Sequence, residues 1–132
     1  MQREFQAIAR SASWLAVGVL CTTLWSGEAA AEGALALGKC SAWGWSSSAS
    51  LDAAREKAMT ECAKHGDADC KVVSTTHEGC VAISADTSAT CAQSSWSIQP
   101  AKSDAESASL DGCRNTNGKS CSVVASKCDQ AD

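Results

Sequence analysis

The chain has 132 residues, nine of them cysteine, and a formal net charge of −4 from 11 Lys and Arg against 15 Asp and Glu. Neither sign gathers into a long run, which argues against a basic nucleic-acid-binding surface and against an acidic tail. The length supports one small domain, and with 5% aromatic residues its apolar core must be thin.

The first residues read as an export signal. Arg3 and Arg10 make a positive start, residues 14–25 form an uncharged apolar run, and Ala29-Ala30-Ala31 supplies the small residues a signal peptidase prefers. The expected leader is residues 1–31, cleaved after Ala31. Its apolar run is well short of the ~20 residues of a bilayer-spanning helix, so no stable membrane anchor is expected after cleavage. Cys21 follows Leu20, not the small residue that lipoprotein processing requires. Residues 32–132 hold neither Phe nor Tyr, and their only aromatic residues besides histidine are Trp43, Trp45 and Trp96. A core this lean calls for covalent staples, and the eight cysteines that follow the leader fit that need in an exported chain.

In chain order, 33–37 reads as a short apolar strand and 42–47 as a second strand centred on tryptophan. A helix follows with Asp52 as its expected N-cap; Ala54, Ala58 and Cys62 form its buried stripe, and Gly66 its left-handed stop. Arg55, Glu56, Lys57, Glu61 and Lys64 read as its solvated, ion-paired face. A strand at 70–75 closes the unit. The order then repeats: strands at 79–84 and 94–98, a helix from Ser103 with the stripe Ala105, Ser109 and Cys113, Gly118 as its stop, and a strand at 121–126. Ser103 with Glu106 would make a capping box. Residues 84–95 are the one long linker, and the tail after Cys128 is expected to be loose.

The two halves share a register. Cys40 and Cys91, Cys62 and Cys113, Cys70 and Cys121, Trp45 and Trp96, Val72 and Val123, and Val73 and Val124 all stand 51 residues apart. The first strands match at a different offset, 46, where residues 32–38 resemble 78–84. The expectation is an α+β fold of two tandem β-β-α-β repeats, 33–76 and 79–128, with pseudo-two-fold symmetry in a single duplicated domain over 32–132. A closed barrel formed by strands of both copies is the alternative.

The Trp-Gly-Trp-Ser run at 43–46, the alanine-spaced helix ending in Cys62, and Cys70-Lys-Val-Val followed by Glu-Gly-Cys-Val-Ala-Ile at 78–83 give the chain a likeness to a known group. It resembles the bacterial secreted proteins grouped as domain of unknown function 4189, over roughly residues 33–128. The resemblance implies a small exported α+β domain and no particular activity. Two features depart from the pattern it implies. Cys40 and Cys91 are additional cysteines, and Ser94-Ser95-Trp96-Ser97 stands where the first copy has Trp-Gly-Trp-Ser.

Eight cysteines allow 105 pairings, and sequence alone does not choose among them. The repeat arithmetic favours one set. Cys80 and Cys128 lack register partners and are paired with each other; Cys62–Cys70 and Cys113–Cys121 bind each helix end to the next strand; the additional Cys40 and Cys91 then cross-link the copies. A rival reading takes Cys62-x-x-His65, Cys70 and His77-x-x-Cys80 as a zinc set. The second copy has Thr116 and Cys128 at the histidine positions, and an oxidising compartment consumes thiolates, so no metal and no cofactor are expected.

Trp45 and Trp96 are expected in the core, whereas Trp43, without a counterpart, is the candidate ligand surface. Asp67 and Asp69 read as solvated turn residues, and no Gly-x-Ser-x-Gly elbow or phosphate-binding glycine loop occurs. The sequence therefore points to a non-enzymatic binding module, periplasmic or secreted, with a protein or envelope glycan as partner and no nucleic acid. A small hydrolase acting on envelope polymers and a purely structural envelope protein are the alternatives.

Overall fold

A computed structural model describes residues 31–66 and 69–129 of the chain. The expected leader (but for Ala31), Asp67 and the end of the tail lie outside the described residues. The elements run β1 (Glu32–Leu37), β2 (Trp43–Ser48), α1 (Leu51–Lys64), β3 (Lys71–His77), β4 (Cys80–Asp86), β5 (Ser95–Gln99), α2 (Lys102–Asn115) and β6 (Cys121–Cys128). The fold is α+β. Its strands form two separate three-stranded antiparallel sheets, ordered β2-β1-β3 and β5-β4-β6, rather than one closed barrel.

Strand alternation builds four layers from these parts. On β1, Ala34 and Ala36 face outward and bury against Ala54, Ala58 and Cys62 of α1, with Ala42, Cys70, Met59 and Val72 beside them. Leu35 faces inward, where it meets Val81 and Ile83 of β4; Leu37, Trp43, Trp45, Ile98 and Ala125 complete this inter-sheet core. On β4, Ala82 faces outward against Ala105 of α2, and the hydroxyls of Ser84 and Ser109 hydrogen-bond across that interface at 2.7 Å. The order is therefore helix, sheet, sheet, helix. The helix stripes carry small residues because each helix lies almost on the backbone of its sheet. A Cβ on Gly44 would collide with the backbone of Ala58 and Cys62 in α1.

Four disulfides staple these layers: Cys40–Cys91, Cys62–Cys70, Cys80–Cys128 and Cys113–Cys121. They are the four pairs that the repeat arithmetic puts forward. Such staples in a domain of this size fit an oxidising compartment. Among the described residues, no helix is long and apolar enough to cross a membrane.

Several local expectations are corrected. Both helices begin two residues earlier than Asp52 and Ser103 suggest. Ser50 is the N-cap of α1, its side chain accepting from the Ala53 N–H, and Ala101 is that of α2, with no side-chain cap bond. Ser103 thus lies inside the first turn and makes no capping box. The acidic residues Asp52 and Asp104 still occupy the first turns, where the helix dipole favours negative charge. After α1, Gly66 takes the left-handed conformation (φ 89°), but after α2 that role falls to Asn117 (φ 65°), the residue 51 positions on. Gly118 serves another need: a Cβ there would run into the Cys113–Cys121 bridge.

The strand match at offset 46 is also displaced. In the first sheet the central rung is Trp45–Leu35–Ser74, with a bulge immediately after Leu35; in the second it is Trp96–Ile83–Ala125, with a bulge immediately after Ile83. The ladders superpose at an offset of 48 for the central strands, so Ile83, not Val81, stands where Leu35 does. A slip of two residues leaves every side chain on its own face, and alternation alone cannot detect it.

Candidate functional site

The two hairpin ends meet at one pole of the molecule. The β1–β2 turn crosses Cys40 and Ser41, both left-handed (φ 54° and 60°), a strained conformation for residues with a Cβ. The Cys40–Cys91 bridge and a 2.9 Å hydrogen bond from the Ser41 hydroxyl to the Ala92 carbonyl hold this turn against the β4–β5 loop. Between turn and loop lies a cleft of about 370 Å³ lined by Leu37, Gly38, Lys39, Cys40 and by residues 91–94. Most of the wall is apolar or backbone. Behind this wall the Ser94 hydroxyl is closed off from solvent and has no hydrogen-bond partner among the described residues, an arrangement that polar groups in folded proteins usually avoid.

Ser94 stands 51 positions after Trp43, so a hydroxymethyl occupies the place that an indole takes in the first half. Trp43 itself is half-buried, packs on the inter-sheet core and stacks on His65 at the end of α1, with ring centroids 5.3 Å apart. It pairs across the ladder with Leu37, a residue of the cleft wall. The exposed pair Lys39–Asp69, at 2.7 Å, lies at the same pole.

The floor of the β4–β5 loop is held by a carboxylate. Asp86 accepts from the Ser88 hydroxyl (2.6 Å), the Lys119 N–H (2.8 Å), the Ser88 N–H (2.9 Å) and the Ser120 N–H (3.2 Å). These donors, the Ser88 hydroxyl foremost and the Lys119 N–H next, pull its pKa from the ordinary 3.8 down to about 2. A second cleft of about 210 Å³ lies behind the loop, between Asp86 and residues 113–118. Ala92 and Gln93 line both clefts, so the loop is a partition between them.

The opposite pole is a clamp. The Asp129 carboxyl accepts from the Thr76 hydroxyl (2.6 Å) and the Gly79 N–H (2.8 Å), while its backbone carbonyl accepts from the Ser47 hydroxyl (2.8 Å). His77 lies at this pole as well, 3.0 Å from Glu32. His65 and His77 thus stand at opposite ends of the first sheet, roughly 17 Å apart along six residues of strand. The rival zinc set is not assembled: its sulfurs are engaged in Cys62–Cys70 and Cys80–Cys128, and its two histidines are far apart.

The tryptophan assignments fare unequally. Trp45 is half-buried over Gly33, where a Cβ would strike its indole. Trp96, expected in the core, is 38% exposed. The ladder gives the reason: Val81 takes the place of Gly33 in the second sheet, and its side chain fills the space into which Trp45 folds.

A family model described as Domain of unknown function (DUF4189) matches residues 32–128. The chain belongs to this family. No curated protein and no solved structure matches it. The DUF4189 match spans both sheets, both helices and all four bridges. Sequence reasoning singled out Trp43 at this pole but missed Leu37, Gln93 and Ser94. The signal for them was the serine in the second half where the first carries Trp43.

Proposed function

We propose that this DUF4189 chain is an exported, non-enzymatic binding module whose partner inserts an apolar group into the cleft between the hairpin ends. In this reading residues 1–31 direct export to the periplasm or beyond, and the folded part is two tandem β-β-α-β copies related by a pseudo-two-fold axis. Equal element order and equal sheet order in the two halves support the duplication. The observation that carries the function is the cleft between the hairpin ends, whose wall is mostly apolar or backbone. Such a site suits a mainly apolar body. That chemistry favours a protein partner over an envelope glycan, whose hydroxyls would need more polar side chains than the wall provides.

A hydrolase reading draws less support. Neither histidine lines either cleft, and the histidine–carboxylate contact found among the described residues, His77 with Glu32, sits at the opposite pole. A photo-crosslinking residue at Gln93, on the cleft wall, tests the binding reading in the producing cells, with the same residue at exposed Lys57 of α1 as control. The expected result is one discrete adduct from position 93 and none from position 57. Equal adducts from both, or none from position 93, would refute it.

A further inference from the structure

The four bridges are not equivalent. Cys62, Cys70, Cys80 and Cys113 are buried and Cys121 and Cys128 are half-buried, whereas Cys40 and Cys91 are both exposed. Topology separates them again. Cys62–Cys70 lies within the first sheet and its helix, and Cys80–Cys128 and Cys113–Cys121 within the second sheet and its helix. Cys40–Cys91 is the one bridge that joins the two sheets. Both of its cysteines also line the 370 Å³ cleft, which leaves open space on that flank of the sulfurs.

We infer that Cys40–Cys91 is a thiol–disulfide exchange site for an exported dithiol reductant, and that its reduction lets the hairpin pole open while the rest of the domain stays folded. A thiolate of the reductant attacks one sulfur of the bridge, the S–S bond breaks, and the departing cysteine thiolate takes up a proton. The second thiol of the reductant then attacks the mixed disulfide and releases the other cysteine. The reductant leaves as a disulfide, and Cys40 and Cys91 as two thiols.

Among the described residues, the hydrogen bond that still joins turn to loop afterwards is Ser41–Ala92, beside the packing of Leu37 and Trp43 on the inter-sheet core. Two left-handed residues, Cys40 and Ser41, lose the constraint that holds them there. The opposite pole keeps the Asp129 clamp, and the inter-sheet core around Leu35, Val81 and Ile83 is untouched. The motion is therefore a hinge about the Asp129 end that parts the walls of the cleft. The inference concerns the bridge alone and stands whatever partner the cleft receives.

The test uses the oxidised, exported protein. It is exposed to dithiothreitol at graded concentration, quenched with iodoacetamide and mapped by peptide mass. Cys40 and Cys91 should be alkylated at least tenfold faster than any of the other six cysteines. Hydrogen exchange on the same singly reduced sample should rise in 38–42 and 87–94 and stay unchanged in β1 and β4. Release of all eight thiols in one step, or first labelling at Cys62–Cys70, overturns the exchange site. Selective labelling with unchanged exchange in both loops overturns the opening. A Cys40→Ser/Cys91→Ser variant, if it folds, should reproduce the loop exchange without any reductant; protected loops in that variant would likewise overturn the opening.

Discussion

The two halves of the molecule solve one packing problem in opposite ways. Each helix must lie within backbone contact of its sheet, and each interface has one position where a side chain does not fit. In the first half the concession is made by the strand, whose Gly44 meets the backbone of α1. In the second half position 95 is serine and the helix yields instead: a Cβ on Gly112 would meet the Ser95 hydroxyl. The inner faces differ in the same spirit. Gly33 leaves room for Trp45, whereas Val81 fills that space and turns Trp96 outward. At the hairpin pole the first half carries Trp43 where the second carries Ser94. The same ladder can therefore be packed shut on one side and left open on the other, and the open side is where a partner has room.

The largest expected effect tests the helix contacts. Gly44→Ala should destabilise by about 3 kcal/mol, because the obstacle is helix backbone that cannot rotate away. Gly112→Ala should stay within about 1 kcal/mol of the parent, since a rotatable hydroxyl can yield and alanine is the better helix former. Chemical denaturation of both variants measures the difference, and equal losses would break the comparison. Next, Trp45→Ala should cost about 2–3 kcal/mol and Trp96→Ala less than about 1 kcal/mol, read in the same way.

The Ser84–Ser109 contact gives a smaller, non-additive effect. Ala58 stands at the matching position of α1, so an apolar pair is compatible with this geometry. Ser109→Ala leaves the buried Ser84 hydroxyl without its partner and should cost about 1–2 kcal/mol; Ser84→Ala should cost less, because the Ser109 hydroxyl keeps its bond to the Glu106 carbonyl, and the double change should cost less than the sum of the two. A double-mutant cycle that proved additive would contradict the account.

The smallest effect is local and pH-dependent. Asp86 has its pKa lowered in the folded protein from 3.8 to about 2. Its contribution is thus fully present above about pH 4 and is lost as the pH falls toward 2. Amide exchange in the loop at 87–94 and at Lys119 and Ser120 should accelerate over that window. Asp86→Asn should remove the pH dependence.

The helix stripes were legible in the sequence because small residues recur in fixed register, and the four bridges because six cysteines recur in that register and Cys80 and Cys128 are the two left over. The helix starts were not, because Asp52 and Ser103 are good caps in isolation and docking of the stripes carried each helix one half-turn further back. The two-residue displacement of β4 was hidden by the period of a strand, which is itself two. Gly118 resembled a helix stop, but its use is close approach to a disulfide, a fact of the third dimension. The cleft was not legible. That Leu37 and Ser94 share its wall depends on two hairpins stacking face to face, and no local pattern records this.

In the proposed reading the cleft beside Ser94 is the binding site. Ser94→Trp installs in the second half the ring that the first half already carries at Trp43. The decisive measurement is crosslinking yield from position 93 in cells producing this variant, beside its thermal melting temperature. The account predicts that the adduct disappears while the melting temperature is kept or raised. An undiminished adduct from a folded Ser94→Trp protein would contradict it.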